Sequence, residues 1–286
     1  MIEVVPLKYG AAFKRIFSQP EVFSRFAEDV LGVELKIDKV HTEYEYPEPI
    51  GFVRSRYDLF AEDIERRIIV EIQHVKEEDF FDRFLYYHLI SMAEQVRGFD
   101  AYCFERTVFT IVVLTSVPRD GSVNFSCAVS DFSPVDERGS RVSVYPHLLV
   151  FLSPPQAGPD TPPAMRRWLD FIADSLDGKM EESSGSEELF CRLIEEMRRQ
   201  KIDPAVLAEI KDEAAWEKAK ERFRSEGLEK GREEGLREGL EKGALAQQRK
   251  TVLQARQMGM DAAAIAALVG LAEDEVQEIL RTDQAD

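Results

Sequence analysis

Cysteine is scarce in this 286-residue chain, and the three present (Cys103, Cys127 and Cys191) lie far apart with no C-x-x-C spacing. That excludes a disulfide framework and argues against a zinc ribbon. Histidine is nearly as scarce. His41, His74, His88 and His147 stand alone, with no H-x-H or H-E-x-x-H spacing that would build a histidine-based zinc site. No apolar run reaches the roughly 18–20 residues of a membrane span, and the opening MIEVVPLKYG lacks a signal-peptide pattern. A cytoplasmic protein is the expectation. No G-x-x-x-x-G-K-[ST], G-x-G-x-x-G or G-x-S-x-G motif occurs, so nucleotide triphosphatase, Rossmann and α/β-hydrolase readings lack support. Basic residues are also short, 37 against 54 acidic, for a net charge of −17. That weighs against a protein that coats nucleic acid by charge alone. A cleft that engages nucleic acid locally stays compatible with it, because such a cleft also holds acidic metal ligands.

What is present is a core. Hydrophobic residues make up 44% of the chain and aromatics 10%, too much for a disordered segment. The aromatic and β-branched residues concentrate before residue 153, where SPPQAGPDTPP (153–163) brings five prolines that suit neither a helix nor a central strand. A domain boundary is expected near 155, followed by a helical extension over 156–215 and a helical tail over 216–286. Within the first region Phe13, Ile16, Phe17, Phe26 and Val30 recur at helical spacing over 10–31, with Pro20 splitting the helix. Strands are expected at Lys36–Tyr46, Arg54–Phe60, Arg67–Gln73, Thr107–Ser116, Val123–Val129 and Val142–Leu152. A long amphipathic helix is expected from about Asp79 to Arg97, closed by Gly98. The order makes an α/β sandwich around a mixed sheet.

The segment YDLFAEDIERRIIVEIQ (57–73) carries the chemistry. Asp58 and Glu71 sit inside adjacent strands among apolar neighbours, and carboxylates are almost never buried without a partner. A hard divalent cation supplies that partner, taking carboxylate oxygens while keeping waters for exchange. The pleat puts Glu71 and Gln73 on one face of their strand, and a hairpin brings Asp58 to the same place. Two acids and a polar positioning group are the minimum kit for metal-assisted phosphodiester hydrolysis, with Gln73 orienting a water. The bland alternative for Asp58 is a salt bridge with Arg54, Arg56 or Arg67. For Lys14 it is the solvated face of an amphipathic helix.

The spacing Asp58…Glu71-x-Gln73 resembles the signature of the PD-(D/E)XK nuclease superfamily, with Gln73 where most members have lysine. AAFKRIF (11–17), VEIQ (70–73) and RFLYYHLISMAEQVRGFDAY (83–102) narrow the likeness to the recombination-promoting nuclease (Rpn) family of putative transposases. The resemblance implies a PD-(D/E)XK core and a Mg²⁺- or Mn²⁺-dependent DNA endonuclease. Asp58 and Glu71 would be metal ligands, with the Ile72 carbonyl as a third. Gln73 would take the lysine's place, and Arg83, with Lys14, would face DNA. One departure stands out: members commonly have an acid three positions before the Phe-Lys pair, and here that place is Gly10. The alternatives are a catalytically degenerate DNA-binding protein and a non-enzymatic oligomerising interaction protein.

In the tail, glycines at 227, 231, 235, 239 and 243 recur every four residues. Each costs a lone helix about 0.5–1 kcal/mol against alanine, while the Glu–Lys and Glu–Arg pairs at i,i+4 return about 0.2–0.5 kcal/mol apiece. Close packing along this track is one expectation, against a second copy in a homo-oligomer that places two cores on one duplex, or against the chain's own nuclease-like domain. A flexible, partly helical tether is the other. Residues 256–280 have a helix–turn–helix look, with Asp261 as N-cap and Gly270 at the turn. Glu273, Asp274, Glu275 and Glu278 would repel phosphate from its second helix, so a small packing module is expected.

Overall fold

The computed structural model describes residues 1–47, 55–74, 80–96, 103–118, 121–181 and 187–283. In chain order the elements are β1 (Ile2–Glu3), α1 (Gly10–Phe17), α2 (Pro20–Leu31), β2 (His41–Glu45), β3 (Arg56–Glu62) and β4 (Arg66–Gln73). Next come α3 (Phe80–Ala93), β5 (Thr107–Leu114), β6 (Cys127–Asp131), β7 (Leu148–Leu152), α4 (Pro163–Ser175) and β8 (Lys179–Met180). The helices α5 (Glu188–Met197), α6 (Pro204–Gln257), α7 (Ala262–Val269) and α8 (Glu273–Asp283) complete it. The expected starts at Arg54 and Asp79, and the expected close at Arg97–Gly98, lie outside the described residues.

The sheet is mixed, in the order β2-β3-β4-β5-β7-β6. β2, β3 and β4 pair antiparallel, β4–β5 and β5–β7 pair parallel, and β6 pairs antiparallel to β7. A parallel pair needs a crossover, and α3 supplies it between β4 and β5. On one face Leu59, Ile68, Val70, Ile111 and Val113 pack into a core with Phe13, Phe17, Phe23, Phe26, Trp168 and Leu193. On the other, Ile69 and Val108 join an aromatic cluster of Tyr57 and Phe60, while Val112 and Leu114 pack with Phe80 and Phe84 of α3. The central strands are buried on both sides, as their near-continuous apolar runs require.

Pro20 occupies the first turn of α2, where its missing N–H costs nothing, and the helix ends on Gly32 at φ +69°. The expected extension over 156–215 is not a separate body. Trp168 of α4 stands 5.7 Å from the Phe17 ring and 5.3 Å from the Phe26 ring, and its indole N–H donates to Asp29 at 2.8 Å. The chain instead divides into two compact units, Met1–Ala214 and Ala215–Asp286.

In the second unit, Val252 and Ala255 of α6 pack with Ile265, Ala266 and Val276 of α7 and α8. Asp261 caps α7 by accepting the Ala264 N–H at 2.8 Å, and Gly270 closes it at φ +69°. The five repeat glycines lie within the continuous helix α6, and a Cβ at any of them would meet nothing within 4 Å. Among the described residues no helix is long and apolar enough to cross a membrane.

Candidate functional site

The ladder between β3 and β4 runs from Glu62↔Arg67 to Leu59↔Val70 and stops there. The next opposition would be Asp58 with Glu71, and at that point side chains replace backbone pairing. The Ile72 N–H donates to Asp58 Oδ2 at 3.1 Å, and the Asp58 N–H donates to Glu71 Oε1 at 3.3 Å. Pairing on the other flank skips Asp58 as well, passing from Thr42↔Leu59 to Tyr44↔Tyr57. Glu43, the residue passed over on β2, has φ +53°, a conformation that a non-glycine residue holds at a cost. Tyr57 and Phe60 both enter the aromatic cluster, and Leu59 the opposite core, so the alternation of β3 breaks at Asp58. The two strands therefore part around the acids.

Burial dominates the electrostatics of Glu71, which is only 4% exposed. Desolvation, then the charge of Asp58, holds its carboxyl well above the usual carboxylate range, against the opposing pull of the Asp58 N–H and Arg83. Gln73 follows on the same face, and its Oε1 accepts a hydrogen bond from the Arg83 guanidinium. The other end of the Gln73 amide is its nitrogen, which is a donor only. The Ile72 N–H points into the gap, and the carbonyl of a strand residue turns to the same side as its N–H. The Gln73 carbonyl goes the other way, accepting the Thr115 N–H at 3.0 Å.

The residues singled out in the sequence fall in two places. Asp58, Glu71, Ile72, Gln73 and Arg83 gather at the parting of β3 and β4. Lys14 of α1 ion-pairs with Glu43, whose carboxylate also lies 2.5 Å from the Arg56 guanidinium. The salt-bridge alternative for Asp58 finds Arg56 with Glu43 and Glu45, and Arg67 with Glu62 and Glu94; Arg54 lies outside the described residues. At Gly10 an acid arrives from α6: Glu213 accepts the N–H groups of Gly10 and Ala11 at 2.7 and 3.0 Å, where the α1 dipole favours negative charge.

Two neighbours went unread as site residues. Glu43 sits in a strand where nothing in the sequence marks a positive φ. Tyr87 stands one helical turn beyond Arg83, and that i,i+4 spacing was the available signal.

Each carboxyl accepts one backbone N–H, and the Glu71 carboxyl, held in its neutral form, also lies within hydrogen-bond reach of Asp58. A divalent cation would have to displace the proton that this pair shares, and the two carboxyl groups and the Ile72 carbonyl are the oxygens that would then hold it. Among the described residues no three His, Cys, Asp or Glu side chains group to hold a metal ion, so any such site rests on this pair and the Ile72 carbonyl. Compared with known proteins, the chain matches no family model, no curated protein and no solved structure.

Proposed function

We propose that this chain is a metal-dependent DNA endonuclease with a PD-(D/E)XK-type core of the Rpn kind, acting in the cytoplasm on recombining, mobile or foreign DNA. The observation that carries the reading is the parting of β3 and β4 around Asp58 and Glu71. Two carboxyl groups side by side at a buried gap share a proton when empty, and a cation that replaces the proton is held by both.

Asp58, Glu71 and the Ile72 carbonyl would hold Mg²⁺ or Mn²⁺. Bound there, the ion supplies an acidified water and a counter-charge to the phosphate. Gln73 donates its amide N–H to the attacking water or to a phosphate oxygen, and cannot accept a proton. The positive charge that a lysine would bring comes instead from Arg83, whose guanidinium orients the Gln73 amide. Lys14, released from Glu43, is the further cation available to the backbone of the duplex. The glycine-punctuated part of α6 would pair with a second copy.

The test is nicking of supercoiled plasmid by the purified chain with Mg²⁺, with EDTA, and with Asp58→Ala. Metal-dependent nicking lost in Asp58→Ala, at unchanged helical content, is the expected result. Nicking that survives in Asp58→Ala overturns the site. Duplex binding without any nicking favours the degenerate reading, for which Gly10, standing where members commonly have an acid, is the motivating feature.

A further inference from the structure

We propose that Tyr87 is a further catalytic residue of this site, its phenolic hydroxyl donating to a non-bridging oxygen of the bound phosphodiester; the proposal rests on the nuclease reading above. Tyr87 follows Arg83 by four residues on α3, so both side chains project from one face of the helix toward β3 and β4. Arg83 reaches the site through Gln73. Tyr87 reaches it beside Asp58, where its ring meets that of Tyr57 edge-on, and Glu71, Arg83 and Asp58 all act electrostatically on its phenol.

The ring is fixed from three sides. It lies edge-on to Tyr57 at 5.5 Å and to Phe84 at 6.3 Å, with the Tyr86 ring at 6.4 Å. The Tyr57 hydroxyl donates to the Tyr87 carbonyl at 3.0 Å, tying this turn of α3 to β3. The Tyr87 phenol carries a proton of its own to give. Burial, then the charge of Glu71, raises its pKa above the usual phenol value, so the hydroxyl stays a donor across the neutral range. Tyr87 is half-buried while Tyr57 is fully buried, so of these two paired phenols it is Tyr87 that a substrate can meet. A neutral donor beside two acids suits a phosphate, because it adds a hydrogen bond without a charge that the carboxylates would claim.

The crossover between two conservative variants tests this. In the full chain with Mg²⁺, Tyr87→Phe should slow plasmid nicking by about ten- to a hundredfold, the loss expected for one hydrogen bond to a charged acceptor. It should melt within a few degrees of the parent. Tyr57→Phe removes the bond that anchors α3, so it should lower the melting temperature more and the nicking rate less. Parent-like nicking by Tyr87→Phe overturns the proposal, and so does an equal rate loss in Tyr57→Phe, which marks a structural role.

Titration of a fluorescein-labelled duplex in Ca²⁺ separates the two readings. If the parent binds the duplex but nicks nothing, hydrolysis falls, and Tyr87 is judged by affinity alone. A loss of affinity confined to Tyr87→Phe then supports the contact. Equal affinity, or no binding by the parent, overturns it.

Discussion

Arg67 and Glu71 lie four residues apart on the same face of β4, both nearly sealed from solvent at 5% and 4% exposure. Their surroundings are opposite in kind. Arg67 donates to Glu94 at 3.0 Å, to the Ser91 carbonyl at 2.9 Å and to Glu62, and lies over the rings of Tyr46 and Phe60. Every demand of the buried charge is met by opposite charge, acceptor or π-face. Glu71 meets a second carboxylate instead. Burial of a charge is thus uninformative by itself, and the sign of its nearest partner separates a compensated charge from one that the fold holds neutral.

The largest effect should come from the satisfied charge. Arg67→Ala takes from Glu94, only 10% exposed at its side chain, the buried guanidinium that it pairs with, and should cost about 3–5 kcal/mol in a denaturant melt. A loss below about 1 kcal/mol would mean that the network is as dispensable as a surface pair.

The buried carboxyl beside Asp58 should respond in the other direction. Glu71→Gln keeps an acceptor for the Asp58 N–H while removing both the burial cost and the repulsion. Metal-free stability should rise by about 1–2 kcal/mol, and plasmid nicking should vanish. A variant that loses stability would place Glu71 with Arg67 as a structural charge.

A third buried titratable group on this side of the sheet extends the comparison, and here the solution is neutrality. His88 of α3 shares a 2.9 Å hydrogen bond with Thr110 and stacks on Phe132 at 4.9 Å. Burial, helped by His147, pushes its pKa down to about 3 from the ordinary histidine value of 6.5. The unfolded chain therefore takes the proton first. The stability that His88 contributes as a neutral ring is full above pH 6.5 and is lost as pH falls toward about 3. His88→Leu should flatten that part of a stability–pH curve measured by chemical denaturation; an unchanged slope would assign the acid sensitivity to other groups.

How much of this could be read from sequence depended on whether the signal was local. The apolar run of β4 with its interrupting acid, and the hairpin count that sets Asp58 against Glu71, are local, and they located the acid pair. The break at residues 153–163 misled because prolines mark irregular backbone, not the end of packing. Thr161 Oγ1 still donates to Ser126 Oγ at 2.8 Å, and α4 still fills the core between α1 and α2. Strand starts failed for a similar reason. Leu35 and Ile37 turn into the helical core, so β2 opens only at His41. Val142 donates to the Pro134 carbonyl, so β7 waits until Leu148. The kink at Glu43 and the ring contact between Tyr57 and Tyr87 depend on tertiary neighbours, and no spacing could announce them.

The run of helical glycines in α6 has a consequence for cooperativity. Ile210 near one end is buried in the first unit's core, and Val252 and Ala255 near the other in the second unit's. Between them, five residues of poor helix propensity sit fully exposed, with no side-chain contact at their α-carbons to offset the entropy they forfeit. The hydrogen-bond ladder of this helix is therefore weakest at its midpoint, and frays from within before it frays at its tips.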